Sequence, residues 1–529
     1  MKRPLAVSGL VYLTVLTVVF YFRTPAVMLA VTAAATLMVC AVLVLRHFKP
    51  LPVAALVAAG VSALLAVLSI FLYQNFTVQP LLDRYTGRAV RVEGYLGDLV
   101  TENKRGKTYI IHTETIDGAP CSTKISYTVF SKKDWEPFDK LCVTVTPKPS
   151  TYAYSLSRGI FLRAAETKKS NLVLTGEKHR SFYASAVALR LEMQKILDNH
   201  LDDNAQSLAS AVLLGEKNAL EPDVRDAFSD TGMSYLVVVS GMHLAIITML
   251  LKKLLKPRFG AKGILRMILI TAFVLLFAAV TGFTPSVVRA AVMMLFIVAA
   301  PLFRRESDSV NALGAAALVL TLPNPYVVGN VGLLLSFAAT LGILLWADTI
   351  LRSCTAVLHL SLQPRREKTR VGRAADLCKR AAALPIGLFA VSLSATLWTI
   401  PLAMVFFGRI TPATVLISFV AYPLTFLLLL PSLLLVLTAW SPIVHVLAPL
   451  INGIAQLLTD AVQRSTELPF TSVKTDSPFW YVWMIVTVLL AVIGVIIRGK
   501  KNYIIFSVAV SVLTLSIGAS LTVLLTTNA

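Results

Sequence analysis

Apolar runs of about 20 residues recur along almost the whole chain, and no other feature constrains its fold more. A run of that length crosses the hydrocarbon core of a bilayer as a single helix. Residues 5–22, 26–45 and 51–73 form the first three. The others lie at 233–251, 263–282, 285–303, 309–322, 327–347, 381–403, 411–440, 443–463, 479–497 and 503–525. The pattern predicts a polytopic α-helical membrane protein of about 13 spans. Only 15% of the 529 residues are charged, against about 25% in soluble domains, which excludes a soluble globular chain. No small-residue cleavage site follows the first run, which is therefore read as a retained helix. The 309–322 run is short. The 411–440 run is long and holds Pro412, Pro423 and Pro431, which predicts a broken or re-entrant pair of half-helices.

Basic turns orient the spans. Lys2 and Arg3, Arg46 to Lys49, Lys252 and Lys253, Arg304 and Arg305, 365–373 and 498–501 all fall on one side under a single assignment. That side is the cytoplasm. The N-terminus is then cytoplasmic, and the segment after residue 73 lies outside. Part of the formal net charge of +21 is this ordinary loop bias, so basicity alone says little about an anionic partner.

Residues 74–180 differ from the remainder. Short alternating runs such as AVRVEGYL, TYIIHTE, KISYTVF and LCVTVTP are separated by NKRGK, DGAP and SKKDWEP. Period-two alternation broken by turn residues predicts strands. About five of them in this length suit a small extracytoplasmic all-β barrel of the OB type. The segment carries 17 Lys and Arg against 11 Asp and Glu, a net of +6 that the loop rule does not explain. A polyanion or a lipid headgroup surface accounts for it equally well. Lys104, Arg105 and Lys107, with Lys132 and Lys133, are the candidate outer contacts. Cys121 and Cys142 fall in the same segment, where an oxidising compartment permits a disulfide. The expectation is that they pair, and the alternative is two free thiols. The divisions are then 1–73 for N-terminal spans, 74–180 for the β domain, 181–231 for amphipathic or interfacial helices, and 232–529 for a membrane core.

No zinc spacing, P-loop, HExxH or GxSxG motif occurs in the chain. No cofactor, metal or catalytic residue is expected. Polar groups where lipid favours hydrocarbon tend to line cavities. Three constellations qualify. Ser240, Gly241 and His243 interrupt the 233–251 run. Thr281, Gly282, Ser286 and Arg289 surround a turn between two runs. Gly329 to Gly332 leads into Ser336. Each has a packing alternative: a Ser bonded within its helix, a His bonded to a neighbour, an Arg reaching for the interface.

Taken together these stretches resemble the ComEC/Rec2 competence family. LLGEKNALEPDVRDAFSDTGMSYLVVVSGMHLAI is similar to its leading signature, TGFTPSVVRAAVMM to its TG…S…RA block, LPNPYVVGNVGLLLSFAATLGI to its LSF block, and LISFVAYPL to a later short motif. The resemblance covers about residues 205–425 and implies a competence-type membrane core behind an outer OB-like domain. It implies a bacterial cytoplasmic-membrane channel that passes DNA, as one strand, during natural transformation. Ser240, Gly241, His243, Thr281, Gly282, Ser286, Arg289 and Ser336 would then lie along the path. Tyr235 stands where the family usually has His, and Leu334 where it usually has Gln. No metallo-β-lactamase-like signature follows the last run, which carries the expectation of a form lacking that domain and of a separate nuclease. With no nucleotide-binding motif, a cytoplasmic helicase or translocase is expected to supply the drive. The 352–380 loop, with eight Lys and Arg against two Asp and Glu, is a candidate dock for it. A small-solute or lipid transporter and a membrane-embedded hydrolase built on His243, Ser240 or Glu216 are the alternatives.

Overall fold

The computed structural model describes residues 3–22, 33, 53–103, 106–130, 135–167, 172–216, 220–259, 264–300, 306–357, 370–468, 471–475 and 480. The chain is mostly helical and forms two compact units. One comprises Met1–Arg190 with Leu251–Leu333, the other Leu191–Leu250 with Leu334–Ala529.

In the first unit, helices α1 (Pro4–Phe22) and α2 (Ala54–Tyr85) are apolar and long enough to cross a membrane. Both pack together, and α1 also packs on α10 (Ser309–Thr321). The contact with α10 is made possible by two glycines. A Cβ on Gly9 would lie 2.0 Å from the carbonyl oxygen of Gly314, so only hydrogen at both positions lets the backbones meet. The helices run parallel. Arg3 Nε donates to Asp308 at 2.6 Å, and Asp308 in turn caps α10 by accepting from the Val310 and Asn311 amides. At the Phe22 end of α1, Phe20 gathers with Tyr73 of α2, Tyr326 just beyond α10 and Phe161 at centroid distances of 5.4–6.1 Å.

Phe161 belongs to the β domain, whose strands are β1 (Val90–Leu96), β2 (Thr101–Asn103), β3 (Gly106–Ile116), β4 (Ala119–Pro120), β5 (Lys124–Val129), β6 (Asp139–Val145), β7 (Lys148–Pro149), β8 (Ile160–Ala165) and β9 (Leu172–Lys178), with a short helix α3 (Ala153–Ser157) between β7 and β8. The sheet order is β7-β8-β5-β3-β1-β6-β9, all antiparallel except β5 with β8. The alternation read from the sequence turns Val92, Leu96, Ile111, Ile125, Tyr127, Leu141, Val143 and Leu162 into one core. The β domain thus sits at the ends of the helices opposite the Arg3–Asp308 pair. At about 1.5 Å per residue, the 19 residues of α1 put these ends roughly 28 Å apart, close to one hydrocarbon thickness.

The first unit continues with the start of α4 (Phe182–His200), then α8 (Ile264–Val280) and α9 (Pro285–Ala299), which packs on α10. These two and α10 are apolar but under 18 residues long.

The second unit holds α5 (Asp203–Leu214), α6 (Pro222–Asp230), α11 (Val331–Thr355), α12 (Arg370–Phe407), α13 (Thr414–Leu437) and α14 (Val444–Ser465). Trp346, Ala390, Leu393 and Leu397 form one core between α11 and α12. Helix α5 packs on α13 and α14. In all, six described helices qualify in length and apolarity as spans. Apart from residues 33 and 480, the expected spans at 26–45, 479–497 and 503–525 lie outside the described residues.

Two expectations are corrected. The 411–440 run is not a broken pair: α13 is continuous through Pro423 and Pro431. Proline is tolerated in such helices where neighbours re-satisfy the freed backbone groups. The 233–251 run is not a continuous helix: residues 233–240 are irregular, and α7 (Gly241–Phe259) begins only at Gly241.

Candidate functional site

The start of α7 explains that interruption. Ser240 Oγ accepts from the Met242 amide at 3.3 Å, and His243 Nδ1 accepts from the Ser240 amide at 3.1 Å. This reciprocal pair is a capping box in which His243 takes the place of the usual Glu or Gln. Gly241 is then the first helical residue rather than a weak point inside a span. Because Nδ1 accepts a hydrogen bond, the imidazole is the neutral tautomer with its proton on Nε2. His243 is fully buried, and its Nε2 has no hydrogen-bond partner among the described residues. A buried donor without a partner is costly, by about 1–3 kcal/mol.

The approach to α7 is held by the second unit itself. Helix α5 ends at Gly215 in the left-handed conformation, and α6 opens with Pro222 at its first turn. At the end of α6, Arg409 bridges to Asp230 and donates to Ser229 Oγ at 2.7 Å, and just beyond it Thr414 Oγ1 donates to the Thr231 carbonyl at 2.9 Å. Gly232, at φ 72°, leaves no room for a side chain: a Cβ would lie 2.3 Å from Thr411 Oγ1. Beyond it, Met233, Leu236, Val237 and Val239 are buried, while Tyr235 is 38% exposed with its ring 5.8 Å from that of Tyr422. Ser336, on α11, is half-buried and its carbonyl accepts from Thr340 Oγ1 at 2.8 Å.

In the first unit the chain turns between α8 and α9. Gly282 donates to the Ala279 carbonyl and Phe283 to that of Ala278, the paired bonds of a Schellman cap. Gly282 has φ 74° and Phe283 φ 49°. The left-handed phenylalanine costs about 1–3 kcal/mol and persists only where its surroundings hold it. Thr281 is buried and bonds back to the Phe277 carbonyl. Pro285 then opens α9 at a position that needs no amide. Ser286 is half-buried one residue on, and Arg289 is buried one turn in. Arg289 therefore does not extend to bulk water in the way an interfacial arginine does.

Beside the Thr281–Phe283 turn lies a buried cluster that was not visible in the sequence. Asp98, in the connection after β1, accepts from Arg190 Nη2 at 2.8 Å and from the Tyr183 hydroxyl at 2.9 Å. Both charged side chains are nearly buried, 7% and 8% exposed. Burial and the neighbouring carboxylate push the Tyr183 phenol up, so it remains a donor. Arg190 and Tyr183 are 92 and 85 positions from Asp98, and no local pattern links them.

The outer candidates fare unevenly. Lys104, Arg105, Lys132 and Lys133 lie outside the described residues. Lys107 is half-buried at the start of β3, in register with Glu102. Cys121 and Cys142 are free thiols, which corrects the expected disulfide. Cys142 is aligned through Glu93 and Thr115 to Pro120, the neighbour of Cys121. Three strand spacings of about 4.8 Å separate them, well beyond the roughly 7 Å limit for a bridge. Cys142 also faces away from the core on which Cys121 packs, and accepts from Arg91 Nε at 3.1 Å. Among the described residues, no group of three or more His, Cys, Asp or Glu is placed to hold a metal ion.

A family model described as "Competence protein" matches residues 212–500, more than half of the chain. The chain belongs to the ComEC/Rec2 family of competence proteins. It is 28% identical over 182 residues to ComE operon protein 3 of Bacillus subtilis (strain 168), a match covering 34% of this chain and 23% of that protein. It is 30% identical over 156 residues to an uncharacterized protein of Aquifex aeolicus (strain VF5), covering 29% and 36% respectively. These matches therefore span about a quarter to a third of the relatives' length. No solved structure matches. The family match includes the capping box, the α8–α9 turn, the LSF segment and Tyr422. It begins after the β domain, so Asp98 and Arg190 lie outside it.

Proposed function

We propose that the chain takes up DNA, as one strand, through the cytoplasmic membrane during natural transformation. The single observation that carries this is the start of α7. An irregular stretch, 233–240, leads into a helix whose first turn is capped by Ser240 and His243, with a buried Nε2–H donor left over. Irregular backbone at membrane depth is tolerated where it is enclosed by protein or lines a water-filled cavity. A helix N-terminus there favours an anion. Ser240, Gly241, His243, Thr281, Gly282, Ser286, Arg289 and Ser336 line the path in this reading. The β domain, whose parallel β5–β8 pair and open order suit an OB-like barrel, receives the strand outside, with Lys104, Arg105, Lys107, Lys132 and Lys133 as backbone contacts.

The same reading keeps the N-terminus cytoplasmic, about 13 spans, and divisions at 1–73, 74–180, 181–231 and 232–529. The shared end of Arg3 and Asp308, with the β domain at the far ends of those helices, supports that orientation. A separate nuclease and a cytoplasmic helicase or translocase complete the machine, which sits among membrane lipids. The test is uptake of labelled DNA in a deletion strain rescued with wild type, His243→Ala or Arg289→Ala at matched membrane levels. Wild type restores uptake and both variants reduce it at least tenfold. Undiminished uptake in the deletion strain overturns the function, and full rescue by both variants overturns the path.

A further inference from the structure

We propose that Asp98 is a positioning residue: through Arg190 and Tyr183 it fixes the Thr281–Phe283 turn, so that the outer β domain sets where α9, with Ser286 and Arg289, begins. The proposal rests on the reading of the chain as a DNA-uptake protein. Tyr183 and Arg190 are seven residues apart on α4, two turns along one face. Both donate to the same oxygen, Oδ2 of Asp98. The backbone of the turn lies directly against them. A Cβ on Gly282 would be 3.4 Å from Arg190 Nη1, 3.7 Å from the Tyr183 hydroxyl and 3.9 Å from Asp98 Oδ2. The Tyr183 ring also packs on Phe283, with centroids 5.7 Å apart, and on Phe138 at the edge of β6, 6.0 Å apart.

Three separate segments therefore meet at one carboxylate: the β1–β2 connection, α4 and the turn. The turn needs such support, because Gly282 and Phe283 are consecutive left-handed residues. Apolar side chains would fill the same space. A buried ion pair adds an all-or-none geometry, since any displacement strands a charge away from water. The arrangement transmits the position of the β domain to α9 without slack. Tyr183 and Arg190 supply the hydrogen bonds to Asp98 and Gly282 the close backbone, while His112 and Lys124 lie near enough to feel its charge.

The experiment uses the full chain in nanodiscs and in the complemented deletion strain. Two variants are compared: Asp98→Asn, and the double variant Asp98→Leu with Arg190→Met, which removes both charges of the pair together. Amide exchange is followed in the 278–286 segment, with α1 as internal reference. Both variants are expected to exchange about tenfold faster in that segment while α1 is unchanged. Both are expected to bind a labelled single strand as wild type does, and to lose at least tenfold in uptake. A folded double variant with wild-type exchange in the turn, or with faster exchange and wild-type uptake, overturns the proposal. If wild type itself restores no uptake, the functional reading fails, and the exchange result still decides whether Asp98 holds the turn.

Discussion

The capping box at Ser240 and His243 makes a quantitative demand on α7. Ser240→Ala removes the Oγ that accepts from Met242. N-cap losses run about 0.5–2 kcal/mol, and the 3.3 Å bond places this one near the lower end, about 0.5–1 kcal/mol. His243→Ala removes the acceptor for the Ser240 amide and also empties a fully buried ring site. Large-to-small truncations of that kind cost about 2–5 kcal/mol. His243→Gln restores an acceptor at the position where Gln is common, and is expected to recover most of the loss. The assay is amide exchange across residues 241–244 of the full chain in nanodiscs. With tenfold in the opening equilibrium per about 1.4 kcal/mol, Ser240→Ala speeds exchange roughly two- to fivefold. His243→Ala speeds it at least about 30-fold, and His243→Gln stays within about fivefold of wild type. If Ser240→Ala and His243→Ala both leave these amides as protected as in wild type, the capping reading is wrong, and the helix start is held by packing alone.

Other consequences are independent of α7. Gly232→Ala meets Thr411 Oγ1 and Thr414 Oγ1 and adopts a left-handed backbone, so it should cost at least about 2 kcal/mol. Gly87→Ala, with φ 77° but open space around it, should cost less, as compared by thermal midpoints in detergent. Burial, assisted by Lys124, holds His112 at about 4, below its ordinary 6.5. The unfolded imidazole takes up a proton that the folded one refuses. Stability is therefore full above about pH 6.5 and falls as pH drops toward about 4, by on the order of 3 kcal/mol. Exchange of β3 amides at pH 7 and 4.5 tests this, and His112→Gln should flatten that part of the profile. Alkylation without reductant should label both Cys121 and Cys142 in the folded chain; protection of both until reductant is added would falsify the free-thiol assignment.

Much of the architecture was legible in the sequence, because hydropathy and period two report local physics. The strands of the β domain follow the alternation of Val92, Leu96, Ile111 and Leu141, and α1, α11, α13 and α14 follow apolar runs. The disulfide expectation failed because a shared compartment says nothing of strand register, and register alone decides the Cys121–Cys142 separation. The contact of Asp98 with Arg190 was illegible for a related reason. It joins segments 92 positions apart, and an isolated acid in a loop carries no mark of its partner. The capping box was legible in principle. S-x-x-H differs from the familiar S-x-x-E by one acceptor, but a hydropathy window counts apolar side chains and ignores which amides lack a carbonyl.

The depth of this helix start bears on function. Eleven residues run from Gly241 to Leu251 before Lys252, and at about 1.5 Å each they cover roughly 16 Å. A bilayer core measures about 30 Å. In the proposed orientation the lysines mark the cytoplasmic boundary, and the N-terminus of α7 then lies near the middle of the membrane. A helix start carries amides without helical partners and roughly half a positive charge. Ser240 and His243 satisfy two of the donors at this terminus, and the Nε2–H of His243 adds a neutral one. A neutral or apolar cargo gains nothing from that arrangement, whereas a polyanion is attracted without meeting a fixed full charge that would hold each phosphate. Under the proposed function the chain has to release what it binds, and partial charges meet that requirement better than a lysine at the same depth.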